Sequence, residues 1–126
     1  MEYKVFDAEF KFMELLWEHG PVNSTELVRL CNTELGWKKS TTYTTIRRLS
    51  ERQIVKNEKA LVSYIVSKDE IRIEETKEHL NKLYNGSLKM LLNNFLSKES
   101  LTAEEAMELK SLIDKKTKEA IKCTQI

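Results

Sequence analysis

Lys39-Ser40-Thr41-Thr42-Tyr43-Thr44-Thr45-Ile46-Arg47-Arg48-Leu49 is the stretch on which the reading of this sequence turns. Four threonines in eleven residues are costly in a helix, because β-branched side chains lose rotamer freedom there. Their spacing nevertheless predicts a helix from Lys39 to about Arg52. Thr42, Thr45, Ile46 and Leu49 recur at three- and four-residue intervals and form a face turned to other helices. Ser40, Thr41, Thr44, Arg47 and Arg48 fall on the opposite side. A small, hydroxyl-bearing helical face suits the major groove. There Ser and Thr bond phosphates or base edges, and a Thr methyl packs on the thymine methyl. Lys39 and Arg48 are placed for phosphates at the groove margins, and the amides at the helix N-terminus favour another phosphate. Tyr43 is left with two roles, insertion among bases or packing on the wing that follows this helix.

Working outward, the charge pattern agrees. The net charge of the 126-residue chain is only +1, so no general polyanion affinity follows. Between Trp37 and Lys59, however, seven basic residues face two acidic ones, whereas from Ser67 onward eleven face eleven. Basic charge is gathered in one window, as a local phosphate-binding surface requires.

N-terminal to this helix, Asp7 to His19 reads as a first helix, with Asp7 as N-cap and Phe10, Met13, Leu16 and Trp17 on one stripe. Gly20-Pro21 ends it. After an extended piece around Val22, Ser24-Thr25-Glu26 opens a second helix, closed by Gly36 in a left-handed conformation. C-terminal to it, Ile54 to Asn57 and Leu61 to Val66 read as two strands split at Glu58-Lys59. Three helices and a hairpin make a winged helix-turn-helix, with Lys56 and Lys59 on the wing facing backbone or minor groove.

The remainder reads as three helices: Lys68 to Tyr84, Ser87 to Leu96, and one opened by the capping box of Thr102 and Glu105. The fold class is therefore mainly α, divided as a DNA-binding domain over 1–66 and a helical dimerisation domain over 67–126. Leu80, Leu83, Tyr84, Leu88, Leu91, Leu92, Phe95, Leu109 and Ile113 are more apolar surface than three such helices can bury alone. A second copy of the chain is the simplest cover.

Trp37 followed by Lys-Lys-Ser-Thr-Thr-Tyr-Thr-Thr-Ile-Arg-Arg-Leu resembles the recognition segment of the penicillinase and methicillin-resistance repressors. Phe12-Met13-Glu14-Leu15-Leu16-Trp17 is similar to that family's first helix, and Leu80-Asn81-Lys82-Leu83-Tyr84-Asn85-Gly86 to its Leu/Ile-Asn-Lys-x-Tyr-x-Gly segment. The resemblance implies a homodimeric repressor that binds double-stranded DNA at an inverted repeat, with its last three helices interlocked with the partner's. It also implies inactivation by a membrane-bound sensor protease, with Asn94-Phe95 at the position of the family's cleaved bond. Two departures bear on DNA sequence. The family's lysine before the first threonine is Ser40 here, with Lys39 one residue earlier, and Thr42 and Thr45 stand at aliphatic positions.

Other classes find little support. Cys31 and Cys123 form no ligand motif, and Cys31 lies on an apolar stripe as a small core residue. His19 and His79 have no ligand partner at metal spacing, so no metal or cofactor is expected. No nucleophile–base pair suggests an enzyme. The lack of a signal-peptide pattern or a membrane-length apolar run predicts a cytoplasmic protein. The alternative to a DNA-binding repressor is the same winged helix used for protein contacts alone.

Overall fold

A computed structural model describes residues 4–124, with side chains to residue 118. The side chains of Ala120 and Cys123 lie outside the described residues. Six helices and a three-stranded antiparallel sheet make a mainly α architecture in two compact units, Met1–Asn81 and Lys82–Ile126.

In the first unit, α1 (Asp7–His19) buries Phe12, Met13, Leu15 and Leu16. Phe10 and Trp17 of the expected stripe are only half-buried and pack on the rim. Trp17 Nε1 donates to the Val66 carbonyl at 3.0 Å, tying α1 to the chain just beyond the hairpin. Asp7 is not the cap. Phe6 holds the extended cap position, and its N–H donates to Glu9 Oε1 at 3.1 Å. The carboxylate that reaches back from the first turn supplies the acceptor, so Asp7 is already helical.

Helix α2 (Ser24–Leu35) starts where Asn23 Oδ1 accepts the Thr25 N–H at 2.9 Å. It ends at Gly36, whose φ of 70° and ψ of 22° lie in the left-handed region that a side chain would strain. That turn swings Trp37 back onto Phe12, the rings stacked at 6.1 Å between centroids. The chain then enters α3 (Lys39–Glu51).

Strands β1 (Val22–Asn23), β2 (Val55–Glu58) and β3 (Leu61–Tyr64) form the sheet in the order β1-β3-β2. Glu58 pairs with Leu61, so the hairpin turn is Lys59-Ala60, one residue later than expected. Both turn residues have positive φ, as two-residue hairpin turns demand.

Helix α4 (Lys68–Tyr84) begins with Ser67 Oγ accepting the Glu70 N–H. Ile71 is fully buried among the core residues of α1, α2, α3 and the hairpin. The first compact unit therefore runs past Val66 into this helix.

Helices α5 (Leu88–Leu96) and α6 (Ala103–Thr124) belong to the second unit. Ser87 Oγ caps α5 at the Met90 N–H, and Thr102 caps α6 by exchanging bonds with Glu105. Among the described residues of this unit none is buried. Leu83, Leu88, Met90, Phe95, Met107, Leu112 and Ile113 each expose half or more of their surface.

A candidate nucleic-acid interface

The core packs one side of α3 and leaves the other open. Thr42, Thr45, Ile46 and Leu49 are buried. Lys39, Ser40, Thr41, Tyr43, Arg47 and Arg48 are exposed, and Thr44 is half-buried between the two faces. Tyr43 is 37% exposed, with Lys39 Nζ 5.9 Å from its ring centre, so it stands on the open side.

The threonines are accommodated in different ways. Thr45 Oγ1 donates to the Thr41 carbonyl at 2.8 Å, so its buried hydroxyl is satisfied within the helix. Thr42 Oγ1 is buried without a hydrogen-bond partner. Its neighbour is the buried Cys31 thiol of α2. Burial pushes that thiol up, and the nearby hydroxyl acts in the opposite sense. An unpaired buried hydroxyl costs about 1–3 kcal/mol. Thr42→Val is therefore expected to raise stability by about 1 kcal/mol, read as a higher denaturant midpoint at constant slope. Any DNA affinity of the chain should be unchanged, because this position faces the core.

The N-terminus of α3 differs from those around it. Lys38 holds the cap position without a capping side chain, and the first turn carries no acid. Glu9, Asn23, Ser67, Ser87 and Thr102 supply such groups at the other helices. Lys38 and Lys39 thus stand at the positive end of a helix dipole, an arrangement that an incoming anion relieves. Arg47 meets Glu51 at 3.6 Å in an exposed pair worth little. Among the described residues Arg48 makes no ion pair. On the wing Lys56 pairs with Glu58 at 3.2 Å, while Lys59 sits at the turn.

Arg52 was part of the basic window, but its guanidinium is engaged elsewhere. It bonds the Glu9 carboxylate, and its Nη1 donates to the Lys4 carbonyl at 2.9 Å. Trp37, two residues before α3, is likewise a packing residue. Neither role has a local signal, since the partners lie far away along the chain.

In the second unit Leu83, Leu88, Leu92, Phe95, Leu109 and Ile113 are exposed, and Leu80 of the first unit, Tyr84 and Leu91 half-buried. Asn94-Phe95 lies inside α5. Asn94 Nδ2 donates to the Tyr84 hydroxyl at 2.8 Å, and the Phe95 carbonyl accepts from the Glu99 N–H at 2.9 Å.

No helix among the described residues is long and apolar enough to cross a membrane. A family model described as penicillinase repressor matches residues 6–115. The chain belongs to the penicillinase repressor family. Members of that family are transcriptional regulators rather than enzymes, and this chain is a transcriptional repressor of that type. The penicillinase repressor of Staphylococcus aureus is 32% identical over 85% of this chain and 88% of its own length. The penicillinase repressor of Bacillus licheniformis is 30% identical over 88% and 90%. The methicillin resistance regulatory protein MecI of Staphylococcus aureus (strain Mu50 / ATCC 700699) is 27% identical over 90% and 96%.

Proposed function

We propose that this penicillinase-repressor-family chain acts as a cytoplasmic homodimer bound to an inverted-repeat operator in double-stranded DNA. The observation that carries the reading is the open face of α3. One side presents Lys39, Ser40, Thr41, Tyr43, Thr44, Arg47 and Arg48, and the other is locked into the core by Leu49 and Ile46. Each copy would lay that face in the major groove of one half-site, with Lys56 and Lys59 of the wing against the adjoining backbone. The absence of a buried residue in the described part of the second unit supports the dimer, since α5 and α6 need cover for their apolar side chains. The division of labour is DNA binding over 1–66 and dimerisation over 67–126, with the start of α4 anchored in the first compact unit by Ile71.

Cleavage of Asn94-Phe95 by a membrane-bound sensor protease would cut α5 and detach α6 from the dimer seam. The two half-sites would then be bound independently, and the gain from linking them would be lost. The hydrogen bonds at Tyr84 and Glu99 mean that the last turn of α5 must open before the bond is reached.

Titration of duplexes tiled across the promoter of its own gene tests the reading. One duplex should bind as a dimer, with affinity falling by about a thousandfold or more between ~50 and ~200 mM salt. Failure to bind any duplex at low salt leaves the winged helix as a protein-contact module and overturns the proposal.

A further inference from the structure

Within the reading that α3 meets DNA, we propose that Arg52 and Glu9 form a clamp that positions the reading helix, and that Arg52 does not itself touch DNA. Arg52 is the residue that follows α3. Its backbone N–H and its Nε both return to the Arg48 carbonyl, closing the last turn of the helix. Its guanidinium then leaves α3 altogether. It meets the Glu9 carboxylate in the first turn of α1, donates to the Lys4 carbonyl at 2.9 Å, and lies 5.7 Å from the centre of the Phe6 ring.

Glu9 is held from the other side by the Phe6 N–H, so both ends of the pair are fixed. The pair is also sheltered. Side-chain exposure is 35% for Arg52 and 12% for Glu9, whereas every other ion pair among the described residues has both partners at 46% or more. Solvent and salt screen a sheltered, multiply bonded pair far less than an exposed one.

The consequence concerns the pose of α3. Its middle is packed against the core, but Lys38 at its N-terminus has no capping side chain. Ile46 and Leu49 hold the inner side of α3 in the core, and the clamp at Arg52 adds an anchor beyond its last turn that fixes the rotation of the outer face, on which Ser40, Thr41 and Arg47 stand. A small rotation there moves side chains off base edges while leaving mobile phosphate contacts nearly intact. The clamp should thus govern sequence discrimination rather than general affinity.

The test compares two duplexes, one selected from a random library by the unaltered chain and one of shuffled sequence. Arg52→Ala should lose about tenfold on the selected duplex, the cost of one misaligned base contact. Binding to the shuffled duplex should stay within about twofold, and the salt slope should not change. Glu9→Gln is the sharper variant. It removes a negative charge, so charge alone would tighten binding to both duplexes; the clamp requires the selected duplex to bind more weakly. Affinities are read well below each variant's melting temperature, where loss of stability alone moves neither value.

Equal loss on both duplexes with a reduced salt slope in Arg52→Ala would make Arg52 a phosphate contact and overturn the proposal. So would unchanged discrimination in both folded variants. Arg48→Ala runs alongside: if it weakens binding while the clamp variants do not, the DNA reading stands and the clamp falls. If the unaltered chain distinguishes no duplex, both fall together.

Discussion

If the chain dimerises through α5 as proposed, Phe95→Asp is expected to give a monomer and to lower affinity for the proposed operator by about a hundredfold or more through lost avidity. Phe95 lies in α5 and is 52% exposed in the single chain, so about half of its surface is left for a partner to cover. Losing that burial costs about 1–2 kcal/mol per copy. Placing a carboxylate in the seam adds at least a comparable penalty. A two-fold interface counts each change twice, so the dissociation constant should rise by about ten-thousandfold. Sedimentation equilibrium reads the association, and circular dichroism should show reduced helix content at 222 nm, because the described part of the second unit has no buried residue of its own. A Phe95→Asp chain that still sediments as a dimer would show that the seam lies elsewhere.

The second large effect is on α3, the helix proposed to read DNA. Arg48→Ala should weaken binding by about tenfold on every duplex and lower the salt slope by about one per protomer. Arg47→Ala should do less. Arg47 is shared with Glu51 at 3.6 Å, and part of any gain on DNA is spent in breaking that pair. Arg48 has no ion pair to give up among the described residues. Fluorescence anisotropy at four salt concentrations gives both quantities, and equal effects from the two arginines would contradict the assigned geometry.

The face of α3 was legible because one helical period sorts its residues. Thr42 and Thr45 sit where Ile46 and Leu49 demand burial, and the structure buries all four. Helix α4 was legible to the residue, since Asn85-Gly86 marks its end, and the structure adds the Ser67 cap at its start. Exposed leucines and phenylalanine in α5 were equally plain, because nothing else in that stretch offers a core.

What escaped was tertiary. Arg52 reads as one more cation in a basic window, and only the fold brings Glu9, 43 positions away, to neutralise it. Asp7 looks like a cap by residue type, yet Glu9 reaches the Phe6 N–H first. Ile71 and Ile73 both stand among charges in α4, and no periodicity assigns Ile71 rather than Ile73 to the core of the preceding elements. The hairpin turn slipped by one residue because Lys59 and Ala60 take positive φ without the Gly or Asn that advertises it.

The most direct test is an amide chemical-shift titration of the isotope-labelled chain with its selected duplex. The largest changes should fall on Lys39 to Arg48 and on the wing at Lys56 to Ala60, with Glu9 and Ile71 nearly still. Changes centred on α5 and α6, with α3 unmoved, would contradict α3 as the element that reads DNA.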